Sequence, residues 1–269
     1  MIIASNIEKS YGPQSLFEEV SFLINKGERV GLVGKNGTGK STLFRMILGQ
    51  ESIDSGILST PKGYRIGALE QHIHFTQPTV LKECIEALPP EKQWDHYKAE
   101  IILSGLGFSE QDFEKDPATF SGGFQVRINL CKALLADPNM LLLDEPTNYL
   151  DILSLRWLKE YLNKWPGEMM LITHDRDFMD NVTTHTLGLH RKQARKVKGG
   201  TIKFYEMMIQ EEETYEQTRK NLENKRKEMQ SLIDRFRAKA SKATMAQSRL
   251  KMMEKMGTME KLDTEKNLG

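Results

Sequence analysis

The sequence predicts an α/β fold: a parallel core sheet wrapped by helices, with an antiparallel β subdomain and a helical subdomain, followed by a long α-helical hairpin. Short apolar runs alternate with helical patterns through the first 200 residues, as they do where helices join the strands of a parallel sheet. A glycine-rich loop joins one such strand to a helix at residues 30–48. From Phe204 to Arg237 there is neither glycine nor proline, and apolar residues recur at helical spacing amid dense charge.

Length and charge limit what the chain can be. Its 269 residues carry a formal net charge of +1, and this length suits one large domain with an appendage. The chain has 38 basic and 37 acidic residues. Residues 1–200 contain 23 basic and 25 acidic residues, so residues 201–269 contain 15 basic and 12 acidic residues. An anionic partner is therefore expected to meet the C-terminal part.

Composition also bears on location. No run of eighteen apolar residues exists, and Glu8 and Lys9 interrupt any signal-like N-terminus, so we expect a cytoplasmic protein with no membrane partner. Cys84 and Cys131 lack the spacing of metal ligands and are expected to be reduced thiols. His72 and His74 lack an evident third ligand and predict no metal site.

The elements can be assigned in order. Residues 1–29 alternate apolar runs with turns, which predicts antiparallel strands. A helix over 41–48 should end at Gly49, and strands are expected near 57–58 and 64–69. Helical patterns follow over 78–106 and after Phe120, including a stripe predicted from Trp94, Tyr97, Ile101 and Ile102.

Two apolar strands then end in polar residues. Residues 140–143 form a continuous apolar run that delivers Asp144 and Glu145, and residues 169–173 deliver His174. Such runs are typical of buried parallel strands, whose carboxyl ends hold ligands in open α/β sheets. Asp151 should cap the helix over 153–162 between them.

The loop after the strand at residues 30–33 suits an anion. Its glycines permit positive φ angles, so backbone N–H groups can turn inward and form a nest beside a helix N-terminus. The spacing is that of a Walker A motif, in which Lys40 reaches the β- and γ-phosphates and the Ser41 hydroxyl holds Mg²⁺. The residues expected to bind nucleotide here are Gly34, Lys35, Asn36, Gly37, Thr38, Gly39, Lys40, Ser41 and Thr42.

The carboxylates after the strand at residues 140–143 complete a hydrolytic pattern. Asp144 is expected to hold Mg²⁺ through water, and Glu145 to orient and deprotonate the attacking water. An Asp-Glu pair alone is usually surface charge. Its position after a buried strand, in a chain with a phosphate loop, favours catalysis.

The order of these motifs resembles the ATP-binding cassette (ABC) ATPases over about residues 1–200. The resemblance implies ATP and Mg²⁺ as ligands. It implies that Gln71 contacts Mg²⁺ and water, that His174 hydrogen-bonds the γ-phosphate, and that Tyr11 stacks on adenine. Without the resemblance, Tyr11 could equally be a turn residue and Gln71 an ordinary residue at a strand end, and a single His such as His174 is more often structural. The resemblance further implies that the segment Ser121, Gly122 and Gly123 closes over the nucleotide held by a second cassette. Asp151 is also expected to bind nucleotide.

Three finer features resemble the ABC-F subfamily, whose members act on the ribosome rather than a membrane. Phe124 stands where most cassettes carry Gln, and the run over 145–151 and the basic segment over 235–249 are also similar. The implied organisation is an ABC ATPase domain at 1–203 with a helical subdomain at about 78–136, a linker hairpin at 204–262 with a basic tip at about 235–251, and a tail at 263–269.

The resemblance also implies partners. ABC-F proteins normally carry two cassettes, whereas this chain has one phosphate loop and is similar to a first half. Hydrolysis by one cassette alone is expected to be weak, unless the chain self-pairs or meets a second cassette. The basic tip, including Arg235, Arg237, Lys239 and Lys242, is expected to contact ribosomal RNA and tRNA. The implied role is regulation of translation or protection of the ribosome, including from antibiotics.

Other functions stay open. A transporter's nucleotide-binding subunit shares the cassette core, and co-purification with a membrane partner would favour it. A chromosome-maintenance or DNA-repair cassette also has long helices, but those interrupt the cassette, whereas here they follow His174. A module that binds nucleotide without turnover is a third possibility, which a phosphate-release assay would distinguish.

Overall fold

The structure, a computed structural model, describes residues 1–69, 74–237 and 247–252. The chain divides into two compact units between Phe204 and Tyr205. The strands are β1 (Ile2–Tyr11), β2 (Gln14–Ile24), β3 (Arg29–Val33), β4 (Ser55–Ser59), β5 (Ile66–Ala68), β6 (Met140–Asp144), β7 (Glu168–Ile172), β8 (His185–His190) and β9 (Gln193–Lys198). The helices are α1 (Lys40–Ile47), α2 (Val80–Glu86), α3 (His96–Gly105), α4 (Gly122–Leu135), α5 (Ile152–Asn163), α6 (Arg176–Val182) and α7 (Thr201–Arg237).

The N-terminal strands form a three-stranded antiparallel sheet in the order β2-β1-β4. The chain reverses at Gly12 and Pro13, between β1 and β2, as turn chemistry favours. Buried Ile2, Ala4 and Ile7 lie on β1. The antiparallel strands expected from residues 1–29 are confirmed.

A six-stranded sheet forms the centre of the first unit, in the order β5-β6-β7-β3-β8-β9. Its strands pair in parallel except for the antiparallel β8 and β9. The parallel core was predictable from the apolar runs, whereas the β8–β9 hairpin was not assigned. The strand expected over 64–69 is confined to β5. Tyr64 closes the turn after Pro61, and the Arg65 backbone is hydrogen-bonded to Asn139.

The main core includes residues of both sheets and of helix α1. Alternate residues of β6, β7 and β8 face this core, because neighbouring strand residues point to opposite sides. Leu43, Phe44, Met46 and Ile47 of α1 belong to the same cluster. The Walker-type helix is therefore anchored by apolar packing, and its N-terminus is held in place relative to the ends of β3 and β6.

Helices α2, α3 and α4 pack on one another between β5 and β6 in sequence. Ala99, Ile102 and Leu103 form the buried side of α3. The stripe expected from Trp94 to Ile102 is wrong, because Trp94 is 88% exposed and precedes the helix, while Tyr97 and Ile101 are each 55% exposed.

Helix α7 begins three residues before the expected position 204. Its first turn belongs to the first unit: Thr201 donates its backbone N–H to Asp180, and the Phe204 ring covers Gly188 of β8. A Cβ on Gly188 would lie 1.9 Å from the Phe204 ring, so this close approach requires glycine. In the second unit, α7 continues to Arg237 and residues 247–252 are helical.

Candidate functional site

The phosphate-loop candidate lies between β3 and α1. Gly37 and Gly39 have φ angles of +82° and +97°, a region that glycine enters without strain. A Cβ on Gly39 would lie 2.6 Å from Phe17 Cζ, so the loop also needs glycine for close packing. The backbone of this loop therefore takes the turns that an anion nest requires.

Lys40 begins α1 with its side chain folded over the loop. Its Nζ donates to the carbonyl oxygens of Gly34 at 2.7 Å and Lys35 at 3.1 Å. Burial lowers the pKa of Lys40, opposed by the charges of Asp144 and Glu145. The cation is thus held near both the loop and the two carboxylates at the end of β6.

Asp144 ends β6 beside the start of α1. Its Oδ2 accepts a hydrogen bond from Ser41 Oγ at 3.3 Å. Burial raises the pKa of Asp144, opposed by the Ser41 hydrogen bond and the charge of Lys40. A hydroxyl and a carboxylate at this distance are hard oxygen donors of the kind that Mg²⁺ takes.

Glu145 and His174 meet at the ends of neighbouring strands. Glu145 Oε1 lies 3.4 Å from His174 Nε2, and its Oε2 accepts from the His174 backbone N–H at 3.3 Å. Glu145 has a φ of +50°, a strained conformation for a residue other than glycine and one found often at functional sites. The turn directs this carboxylate toward the next strand rather than along β6.

These groups share one open cavity of about 550 Å³. Nine of the residues expected at the nucleotide line it: Tyr11, Asn36, Gly37, Gly39, Lys40, Ser41, Thr42, Asp144 and Glu145. His174 completes the set, whereas Gly34, Lys35 and Thr38 support the loop without lining the cavity. Gln14, Leu16 and Ile172 also line it and were not anticipated.

Other expected residues lie elsewhere. Gln71 and His72 fall outside the described residues. Ser121 precedes α4, and the Ser121–Gly123 segment does not line the cavity. Asp151 caps α5 by accepting from the Ser154 N–H and pairs with Arg127, so within this chain it serves a helix terminus. The nucleotide contacts of these residues stay predictions.

Phe124 has a packing role next to the Ser-Gly-Gly segment. Its ring centroid lies 5.2 Å from that of Phe108 and 5.9 Å from that of Phe120. The neighbouring Gln125 donates to the Phe120 carbonyl at 3.0 Å. The aromatic residue therefore anchors the first turn of α4 in an apolar cluster.

Comparison with known proteins identifies this arrangement. Two family models, both described as ABC transporter, match residues 17–148 and 187–268. The probable ATP-binding protein YheS of Escherichia coli K12 is 33% identical over an alignment of 290 positions, which covers 95% of this chain and 45% of that protein. ATP-binding cassette sub-family F member 3 of Rattus norvegicus is 30% identical over 97% of this chain and 41% of its own length. The chain belongs to the ABC-F subfamily of ATP-binding cassette proteins.

Solved structures agree with the cassette fold. The ATP-binding subunit of an ABC transporter superposes with a TM-score of 0.65 at 23% identity, over 74% of this chain and 90% of that one. A dimeric cassette bound to ADP and Pi, MJ0796, superposes with a TM-score of 0.60 at 22% identity, over 74% of this chain and 98% of that one. The expected fold class is confirmed. This ABC-F cassette spans about half the length of the curated relatives it matches.

None of the described helices of this ABC-F cassette is long and apolar enough to cross a membrane. Within the described part of the chain, no group of three or more His, Cys, Asp or Glu side chains could hold a metal ion.

Sequence reasoning missed Arg127, which connects several parts of the site. This guanidinium lies under Phe124, with its carbon 4.6 Å from the ring centroid, and it is 7% exposed. The sequence contained a signal for this role, namely an arginine among the apolar residues of a predicted helix, because a buried arginine is rarely without partners. The motif pattern alone did not indicate which partners those were.

Proposed function

We propose that this cassette binds ATP with Mg²⁺ and hydrolyses it to ADP and phosphate. The convergence of Lys40, Ser41, Asp144, Glu145 and His174 on one cavity edge carries the proposal. The loop supplies N–H groups and a cation for phosphates, while Ser41 and Asp144 supply oxygens for Mg²⁺, whose charge would neutralise the reacting phosphates. Gln71 completes the proposed metal contacts.

Glu145 is the proposed general base. Its carboxylate is 22% exposed and contacts His174, so it can reach a water at the cavity while His174 holds its orientation. Tyr11, at 47% exposure on the cavity wall, supplies a ring face for the adenine. None of these roles requires a covalent bond between the protein and the nucleotide, because phosphoryl transfer depends mainly on positioning and charge.

We further propose that a second cassette, on the same polypeptide or another, completes the site. The Ser121–Gly123 segment lies outside the chain's own cavity, and its serine and first glycine are exposed. Tyr149, Ile152 and Leu153 are 68%, 78% and 76% exposed, an apolar surface after Glu145 that suits burial by a partner. Asp151 would approach the partner's nucleotide from this surface. Hydrolysis by one cassette alone would be weak.

The remaining proposal concerns the second unit. We propose that the hairpin over 204–262, following the ATPase domain at 1–203, places its basic tip on ribosomal RNA or tRNA in the cytoplasm and so regulates translation or protects the ribosome. Arg235, Arg249 and Lys251 are exposed, which supports phosphate binding. The expected helix over 204–237 is present, while Lys239 and Lys242 fall outside the described residues.

The second candidate is the ATP-binding subunit of a transporter. The descriptions of both family models favour it, and the cassette core would serve either role. The curated relatives of sub-family F and the charged helix α7 favour the ribosomal proposal. Co-purification of the chain with a membrane protein would decide for the transporter.

Two measurements test these proposals separately. Calorimetry should detect Mg²⁺-dependent uptake of ATP that Lys40→Ala abolishes; heat unchanged by this substitution would contradict nucleotide binding at this loop. Sedimentation with ribosomes in ATP, using Glu145→Gln in a chain that carries both cassettes, should give more pelleting than the parent, because the closed form accumulates. Equal, negligible pelleting would contradict the ribosomal role and leave ATP binding intact.

A further inference from the structure

A second cavity, of about 650 Å³, lies at the other end of the strands that carry the cassette residues. Asn139, just before β6, and Glu168, the first residue of β7, line it, whereas Asp144 and Ile172 at the far ends line the nucleotide cavity. Five-residue strands place these ends roughly 15 Å apart. The two cavities share no lining residue, so this one needs its own explanation.

An aromatic column formed by α5 and the segment just after it leads into this cavity. The Trp157 and Tyr161 rings stack with centroids 5.1 Å apart, and Tyr161 and Trp165 follow at 6.2 Å. The column is held on one side by α3, where a Cβ on Gly105 would lie 2.1 Å from Trp157 Cε2. Tyr161 and Trp165 line the cavity. Its wall thus presents two aromatic rings, of which Tyr161 is stacked on Trp157 and Trp165 is tilted by 33° from Tyr161.

The remaining wall combines aliphatic residues with a buried donor. Ile102, Leu134 and Leu135 are buried and line the cavity. Trp165 Nε1 is buried and has no hydrogen-bond partner within the described residues. The Tyr161 hydroxyl is protonated at neutral pH like that of any tyrosine, and burial raises its pKa further, to about 12, so it can donate a hydrogen bond. The cavity therefore offers donors beside apolar surface.

The rim of the cavity is cationic. Five Lys and Arg residues line it against two carboxylates, Asp137 and Glu168. Both carboxylates are already engaged: Asp137 accepts from Lys92 at 2.5 Å, and Glu168 accepts from the Met1 ammonium at 3.1 Å. Lys26 and Lys164 are exposed and form no ion pair with the described residues. The positive surplus therefore belongs to side chains that can meet a ligand.

We propose that this cavity binds a small aromatic anion. A flat ring would pack against the Tyr161 and Trp165 rings, and the anionic group would lie toward Lys26 and Lys164. The volume is within the range of small-molecule sites, which are apolar with a few polar groups that fix orientation. A neutral apolar ligand would leave the cationic rim without a partner, and a simple inorganic anion would leave the aromatic wall unused.

The probe for this proposal is 8-anilinonaphthalene-1-sulfonate, an aromatic anion whose fluorescence rises in apolar sites. Titration of the full chain should show one saturable site. Ile101→Trp should weaken binding by at least tenfold, because Ile101 lines the cavity and is 55% exposed, so a larger ring there fills the entrance without entering the core. Lys26→Glu and Lys164→Glu should each weaken it about fivefold, the effect of an exposed charge pair.

Matched controls separate this site from unspecific adsorption. Lys82→Glu reverses an exposed charge on α2 away from the cavity and should change affinity less than twofold. The uncharged N-phenyl-1-naphthylamine should bind the parent and both rim variants equally. Absence of saturable binding, or equal affinity of the probe for the parent, Ile101→Trp and the rim variants, would overturn the proposal. Retained ATP binding by Ile101→Trp would show that the cassette remains folded.

Discussion

Arg127 Nη1 lies 3.0 Å from Asp151 Oδ2, linking helix α4 to the cap of helix α5. The same nitrogen donates to the Leu106 carbonyl at 2.8 Å, and Nε donates to the Tyr149 carbonyl at 3.0 Å. One buried guanidinium therefore joins the end of α3, the loop after Glu145 and the helix that follows Ser121. The apolar surface proposed to meet a second cassette is held by this cation.

Arg127→Ala should lower the free energy of unfolding by about 2–3 kcal/mol, because buried carbonyl oxygens lose a charged donor. Arg127→Lys should restore only part of the loss, since an ammonium cannot span several acceptors in a fixed fork. Urea unfolding measures both. Arg156→Ala, at an exposed position on α5, is the control and should change stability by less than about 0.5 kcal/mol. Equal midpoints for Arg127→Ala and the control would contradict this role.

Glu83 is the second buried charge that connects elements. Its side chain is fully buried, pairs with Lys132 of α4, and accepts from the backbone N–H groups of Thr76 at 2.9 Å and Gln77 at 2.8 Å. Burial opposes ionisation, but the hydrogen bonds from Lys132 and the two N–H groups outweigh it and lower the Glu83 pKa. The carboxylate thus fastens the segment before α2 to helix α4.

Glu83→Gln should destabilise the chain by roughly 1–3 kcal/mol, because the fully buried side chain loses the charge that pairs with Lys132 and accepts two backbone N–H groups. A double-mutant cycle with Lys132→Met should give a coupling above about 1 kcal/mol, as expected for residues in one network. Thermal or urea unfolding provides the free energies. Glu100→Gln, on the exposed side of α3, should be nearly neutral. Additive effects of the two substitutions would refute the coupling.

Features that depend on a short stretch of sequence were predictable, whereas contacts between distant segments were not. The phosphate loop, strand β6 with Asp144, strand β7 with His174 after it, and helix α7 were predictable, because each has a local sequence pattern. The positive φ of Glu145 and the partners of Arg127 depend on segments distant in sequence. The exposure of Trp94 could not be predicted from the sequence either, because helical periodicity does not reveal that α3 begins only at His96.

The lowered pKa of Glu28 should make the free energy of unfolding depend on pH. Burial opposes its ionisation, but hydrogen bonds from Asn25 and Lys196 outweigh it and lower the Glu28 pKa to about 2; His185 Nε2 also lies 3.5 Å from its carboxylate. A carboxyl whose pKa falls on folding stabilises the protein above its unfolded pKa, near 4.5, and loses that contribution as pH falls toward 2. The full contribution is about 3 kcal/mol.

The difference in unfolding free energy between the parent and Glu28→Gln should therefore be largest at pH 6–7 and shrink below pH 4.5. Urea titrations at several pH values measure it. Glu8→Gln, at an exposed position of β1, should show little difference at any pH. A parent–variant gap that stays constant down to pH 3 would mean that Glu28 does not titrate as its contacts require.

Glu145→Gln separates nucleotide binding from turnover. The amide keeps the shape of the side chain but cannot accept a proton, so phosphate release should fall at least 100-fold, within the range attributed to general bases. ATP affinity should stay within about threefold, because Lys40 and the loop are unchanged. Phosphate release is measured with a second cassette supplied, and affinity by calorimetry. Glu160→Gln, at an exposed position on α5, should retain parental turnover. Parental turnover by Glu145→Gln would assign the base to another residue of the cavity.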